Sequence, residues 1–514
     1  MKSFLTSISR LAAVLSAVFA FALLPARPQT AVKVQQIKAS QWRQRQPQDS
    51  VSVKTRQILE HCCKYALNAW RNDVKHFTQQ TGTYYDFGGR QEKHIRPVSH
   101  EAFVLAMSLR LGICSPKVTG VGQKEALRFT EKLIASMAWH HKANSGEKGW
   151  GDQWQSALWA AQGAEAAWFI WDKLSEQTRN LVLKMLIHEA DRFIGYQVPY
   201  YQDKEGRIVT PSDTKAEENA WNSNILTIAC DMLPRHPHFQ QWFEKNRELQ
   251  ISAYARPSDL KRHETVDGVI LSEILQGSNM NEDGTVVNHN RIHPDYMVAF
   301  MHNATNVLLD RLARRQPLAS STFNGDIIYQ ALTNLPFGSE KRTIYCRGGN
   351  GQATSKMYFP EGNDWGTGRQ ANYWLMDVLA HEFRLDRNVR PSAICLGRRQ
   401  QPDTMLEKIS QSTSGCYFNS KKENSFDTAE EFFRRADRLG LSGALARRKV
   451  GFCGGEYQRK FLFRPSPLVA AGWGATFFRP FLGGTLCLRK INYYFCCRKP
   501  LLYHPNGRLS RGKY

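Results

Sequence analysis

Residues 154–174 read WQSALWAAQGAEAAWFIWDKL. Apolar residues recur through this run at helical spacing, which predicts a helix from Trp154 to Leu174. The same spacing marks Thr178 to Tyr196 just beyond it, so the two segments read as neighbouring helices. Earlier in the chain, Val51 to Trp70, Ala102 to Leu111 and Ala126 to Trp139 share the pattern. Later, Ala216 to Leu233, Met297 to Leu312, Ala371 to Phe383 and Thr428 to Leu439 repeat it. Alternating strand-like stretches are few and short. The expected fold class is mainly α, built from helical hairpins.

Four of these helices are preceded by unusual polar and aromatic segments. They are Gly149 to Trp154, Ser212 to Asn222, Asp283 to Tyr296, and Glu361 to Arg369. The acids that mark them, Asp152, Asp213, Asp283 and Asp364, follow one another at comparable intervals that lengthen gradually along the chain. Each interval is about one helical hairpin plus a loop. Hairpins of this size, arranged as an incomplete or closed (α/α) toroid, would carry every second helix N-terminus to one rim. Ordinary capping accounts for some of these residues, including a Thr214-x-x-Glu217 capping box. It does not account for the Trp, His, Asn and Arg beside them.

Composition bounds the rest. The chain has 514 residues, 42% hydrophobic and 22% charged, enough apolar content for a substantial core. The one long apolar run, Leu11 to Leu24, follows Lys2 and Arg10 and contains Ala20-Phe21-Ala22, the pattern of a cleaved secretory signal. Residues 1–26 are therefore expected to be a signal peptide, the protein to be secreted or periplasmic, and a multi-span membrane protein is excluded. Of the net charge of +23, +13 lies from Leu441 onward. The expected organisation is a helical catalytic domain over residues 27–440, then a short, irregular, basic tail rich in Cys and aromatic residues over 441–514. Eleven cysteines show no C-x-x-C and no framework spacing, so no disulfide is assigned.

The richest segment for chemistry runs from Asn288 to Tyr296. Pro294 suits the first turn of a helix, which makes His293 its N-cap. His289, Asn290 and Arg291 then sit in the loop that enters that helix, where a negative group is favoured. Arg291 can hold a carboxylate bidentately. His289 and Tyr296 are residue types suited to proton transfer.

Asp283-Gly284-Thr285-x-x-x-His289 followed by Tyr296 resembles the catalytic segment of hyaluronate and chondroitin lyases. Those belong, with alginate lyases and heparinase-like enzymes, to the (α/α) toroid polysaccharide lyases. The resemblance implies β-elimination on uronic-acid glycans, with His289 and Tyr296 moving protons and Asn222 and Arg291 neutralising the substrate carboxylate. From the polar and aromatic segments at the same rim, substrate contacts are expected from Asn219, Trp221, Glu218, Trp154, Asp364, Trp365, Arg369 and His293. Two departures stand out. Tyr296 follows His289 more closely than in that family, and the Asn219 to Asn222 segment lacks an Asn-Trp-Trp run.

A glycoside hydrolase on the same helical scaffold is the competing expectation, with two carboxylates drawn from Glu218, Asp283, Asp295, Glu361 and Asp364. A non-catalytic glycan-binding protein is the third. The expected partner is an acidic polysaccharide or oligosaccharide; nucleic acid is not expected, and the oligomeric state is left open. No cofactor is expected, with a structural calcium as the alternative. His381-Glu382 lacks the second His of a helical zinc motif. Asn279-x-Asn281-x-Asp283-Gly284 resembles half of a calcium loop, yet its twelfth position is Asn290 and not Glu.

Overall fold

The computed structural model describes residues 33–37, 50–347, 353–364 and 370–389. The expected signal peptide, the expected helix from Thr428 to Leu439, the basic tail, Trp365 and Arg369 all lie outside the described residues. The chain divides at Gly451, and every described residue belongs to the first unit. No helix among the described residues is long and apolar enough to cross a membrane.

Within them, ten helices reach ten residues or more: α1 (Ser50–Tyr65), α2 (Glu92–Leu111), α3 (Gln123–Trp139), α4 (Ser156–Phe169) and α5 (Glu176–Asp191), then α6 (Ala216–Met232), α7 (Phe239–Ala253), α8 (Met301–Ala313), α9 (Gly325–Asn334) and α10 (Gln370–Glu382). The expected helical pattern is therefore present, and α6 differs from its expected span by a single residue. α2 begins well before the expected Ala102. Pro97 sits inside it and removes one backbone donor, but the remaining turns are buried and keep the segment helical.

The even-numbered helices form a row in which α2 packs on α4, α4 on α6, α6 on α8 and α8 on α10. The odd-numbered helices lie against this row, α3 and α5 on α4, and α7 on α6. Burial explains the division. Every residue of α4 is buried, as is every residue of α8 except Arg311. Such helices are enclosed on all sides. In α5 the buried positions are Thr178, Leu181, Val182, Met185, Leu186, Glu189 and Ala190, a single stripe that faces the row. Large side chains that fill the interior include Trp70, Trp150, Trp159, Trp168, Trp242 and Trp374.

Among the described residues, eight short strands pair as four antiparallel ribbons: β1 (Gln202–Asp203) with β4 (Gly277–Ser278), β2 (Thr265–Val266) with β3 (Val269–Ile270), β5 (Val287–Asn288) with β6 (Arg291–Ile292), and β7 (Tyr345–Arg347) with β8 (Ala353–Met357). The β5–β6 ribbon corrects the expected open loop before Pro294. Asn288 pairs with Arg291, leaving His289 and Asn290 as a two-residue turn. Their φ values are 50° and 61°, the turn class in which both central residues adopt positive φ. The helix that follows is also shorter than expected. Pro294–Met297 forms one turn, Val298–Phe300 tightens to a 3-10 turn, and α8 begins only at Met301.

Candidate functional site

The loop entering α6 lies alongside β5. Asp213 bridges to Asn288, the Thr214 N–H donates to the Val287 carbonyl at 2.9 Å, and the Ser212 hydroxyl donates to the Asn290 side chain. The expected Thr214–Glu217 capping box is absent. The Thr214 hydroxyl instead accepts from the Ala216 N–H and donates to the Asn279 carbonyl, because the helix starts later than that box requires. Upstream of β5, Asp283 and Gly284 make a tight turn in which the Thr285 N–H and hydroxyl both donate to Asp283 Oδ1. Gly284 has φ +88°, and a Cβ there would lie 2.8 Å from the Ile327 carbonyl, so both conformation and space call for glycine. The calcium-like segment is thereby occupied within the fold, with Asn279 Oδ1 accepting from the Tyr201 N–H and Asp283 from Thr285.

At the tip of the ribbon, His289 Nδ1 lies 2.5 Å from Asp364 Oδ2, and His293 Nε2 lies 2.8 Å from Asp364 Oδ1. The Tyr296 hydroxyl is 3.3 Å from His289 Nε2. With Nδ1–H donating to the carboxylate, Nε2 is the acceptor for the Tyr296 O–H. The three rings meet edge to face, with His293 and Tyr296 centroids 4.9 Å apart. Tyr296 is fixed from behind, because the Tyr254 hydroxyl donates to its carbonyl and the Tyr373 hydroxyl on α10 donates to neighbouring Asp295. His293 occupies the N-cap position of Pro294–Met297, but its side chain makes no cap bond and turns to Asp364. A single helical turn offers no anion-binding terminus of the expected kind.

The electrostatics follow the geometry. Burial opposes ionisation of Asp364, yet hydrogen bonds from His293 and His289 outweigh it and hold the carboxyl at about 2. His293 is fully buried, and that burial pushes its pKa below the ordinary histidine value despite the Asp364 bond. Its Nδ1 has no hydrogen-bond partner among the described residues. His289 and Asp364 keep 40% and 37% of their side chains exposed, so the centre opens to solvent on one side. Arg291 Nε donates to the His289 carbonyl, and its guanidinium makes no carboxylate pair among the described residues.

The other expected site residues divide into two groups. Trp154 is 60% exposed, and its ring meets Trp221 edge to face at 5.2 Å. Trp221 itself is buried, so it supports Trp154 and offers no face to a sugar, which corrects its expected role. Asn219 is also corrected. It is fully buried, with Nδ2 donating to the Pro199 carbonyl and the Ser252 hydroxyl, and so cannot reach a substrate. Asn222 is buried, its Oδ1 has no partner among the described residues, and it makes no hydrogen bond to His289 or Arg291. Glu218 accepts from the Tyr196 hydroxyl at 3.1 Å and pairs with Lys215. Contacts join the four segments along three links: Trp154 with Trp221 on α6, the loop before α6 with β5, and the β5–β6 ribbon with Asp364.

Two features escaped the sequence reading. One is an open pocket of about 570 Å³ lined by Asp152, His188, Asp191, Arg192, Phe193 and Tyr196. Behind it, fully buried Glu189 contacts His141 and Arg192 and accepts from the Asp152 N–H, holding Asp152 at φ 56°. Of these residues only Asp152 is marked by spacing in the sequence; nothing local marks the others. The other is the convergence of His289, His293 and Asp364, whose potential ligand atoms lie within 4.8 Å of one another. The His-x-x-x-His spacing was a signal for it, but the third member stands far along the chain, beyond α8 and α9. Comparisons with models of known protein families, with curated proteins and with solved structures returned no match.

Proposed function

We infer that the protein is a carbohydrate-active lyase that cleaves uronic-acid glycans by β-elimination. The carrying observation is the Tyr296–His289–Asp364 line, with uncommitted Arg291 beside it. On this reading Arg291 receives the substrate carboxylate, where negative charge grows as the adjacent C–H bond breaks. Tyr296 and His289 take that proton, and the Tyr296 O–H returns one to the departing glycosidic oxygen. Asp364 holds the imidazole in the tautomer that faces Tyr296. Trp154 would stack a sugar ring along the same rim. The row of even-numbered helices covered by odd ones is consistent with part of an (α/α) toroid.

The hydrolase reading needs two carboxylates facing each other across the scissile bond, at least one of them available to protonate the leaving oxygen. Asp283 is bound to Thr285, Asp295 to Tyr373, Asp364 to two histidines, and Glu361 accepts from the Ile292 N–H. Those commitments favour the lyase. Secretion, suggested by the basic start and the apolar run from Leu11 to Leu24, fits a polymeric substrate outside the cell. The test is to incubate the full chain with a panel of acidic polysaccharides and follow both the ultraviolet absorbance of unsaturated uronates and new reducing ends. Absorbance that Arg291→Ala and Tyr296→Phe abolish supports the lyase. Reducing ends without absorbance point to hydrolysis, and binding without either product leaves a glycan-binding protein.

A further inference from the structure

His289 and His293 come from the two sides of β6, and Asp364 approaches from a separate, distant segment of the chain. Two imidazoles and one carboxylate, each offering a single donor atom, lie within 4.8 Å of one another. An ion midway between the farthest pair would sit about 2.4 Å from each, against roughly 2.0–2.2 Å for nitrogen and carboxylate ligands of zinc. Shifts of a few tenths of an ångström therefore close the site. The two hydrogen bonds now linking the histidines to Asp364 occupy the same space.

Three further observations separate this cluster from an ordinary surface network. His289 holds a left-handed φ of 50° at a turn position that asparagine or glycine fills more easily. Such strain persists where the side chain is required at one place. His293 is fully buried with Nε2 directed at Asp364 at 2.8 Å, so its ligating nitrogen is held toward the centre of the cluster. Asp364 is open enough for an ion to enter, at 37% exposure.

We propose that His289, His293 and Asp364 bind a divalent transition-metal cation of the zinc class, leaving at least one coordination position open to solvent or substrate. The ligand set of two imidazoles and one carboxylate suits zinc in an open site. Bound through Nδ1, His289 carries its proton on Nε2, the atom 3.3 Å from the Tyr296 hydroxyl, so the contact persists with its direction reversed: Nε2–H donates to the Tyr296 oxygen, and in the metal-bound state His289 no longer takes a proton. Arg291, anchored to the His289 carbonyl, stands beside the open face. The cation would sit where an anionic oxygen of a substrate arrives. The inference concerns metal binding itself and holds whether the rim performs elimination or another reaction.

The experiment uses the full chain, stripped with a chelator and titrated with Zn²⁺ alone by calorimetry, then loaded with Co²⁺ for visible spectroscopy. The expected result is one tight site per chain, weakened about tenfold or more in both His289→Ala and Asp364→Ala. Both residues are partly exposed, so these variants should fold, which circular dichroism checks. His381→Ala, at an exposed His beside Asp386, should bind as the unaltered protein does. Cobalt should give the intense visible bands of a low-coordinate site, absent from the Asp364→Ala protein. Zinc affinity unchanged by both substitutions, or a cobalt spectrum equal to that of the aqueous ion, would overturn the proposal. Neither readout depends on enzymatic activity, so a metal site without lyase activity, and the reverse, remain separate outcomes.

Discussion

Replacing Tyr296 with Phe removes one oxygen atom and leaves the ring. The ring is buried and packs edge to face against His293 at 4.9 Å and His289 at 5.5 Å, contacts that phenylalanine keeps. The hydroxyl contributes a long hydrogen bond of 3.3 Å to His289 Nε2. A neutral hydrogen bond is worth about 0.5–1.5 kcal/mol net, so folding stability should change by no more than that. A positioned proton-transfer group contributes about 10²–10⁴ in rate, equivalent to roughly 3–5 kcal/mol of barrier. Activity loss should therefore exceed stability loss by at least about 1.5 kcal/mol. The assay pairs urea unfolding with the kinetics of unsaturated-uronate formation on the best substrate found. The loss should appear in kcat with little change in KM, because the hydroxyl acts on the reacting atoms. A variant that folds normally and retains kcat within about tenfold of the unaltered protein would refute proton transfer by Tyr296.

Trp154→Ala should leave stability within about 0.5 kcal/mol, since the ring is largely exposed, and raise KM for a polymeric substrate roughly three- to tenfold through lost stacking. Steady-state kinetics on long and short glycans will check this, and an unchanged KM would remove Trp154 from the substrate path. Gly284→Ala should destabilise the fold by roughly 2–4 kcal/mol, from the positive φ and the 2.8 Å approach to the Ile327 carbonyl, as read by chemical unfolding. Asp259 is buried and accepts from the Arg256 backbone N–H and from the Arg256, Arg262 and Asn324 side chains. Burial alone would raise its pKa, yet these bonds hold it below the ordinary aspartate value. Its contribution is therefore present above the unfolded-state pKa and lost as pH falls through the lower folded value. Asp259→Asn should destabilise the protein at neutral pH and flatten the acid limb of its stability profile. An acid limb as steep as in the unaltered protein would rule that assignment out.

Helical periodicity made α3, α4, α5 and α6 legible because burial of one or more faces imprints a local repeat on the sequence. The same logic missed α7, where Glu244, Lys245, Asn246, Arg247 and Glu248 interrupt the apolar pattern, and α9, which is too short to show a clear repeat. Tertiary packing holds both in place. The chemical character of Asn288 to Tyr296 was also legible, since a cluster of His, Asn, Arg and Tyr before a Pro is hard to explain by packing alone. Its conformation was not. His289-Asn290 lacks the glycine that usually announces a two-residue turn, and β5 is also paired from its other side by Asp213 and Thr214, from the distant loop before α6. Composition and spacing by themselves determined a mainly helical protein and singled out the polar segment from Asn288 to Tyr296. Only the tertiary structure decided that Trp221 and Asn219 face inward, and that Asp364 closes on both histidines. Those outcomes depend on which faces meet across long stretches of chain, and no local repeat encodes them.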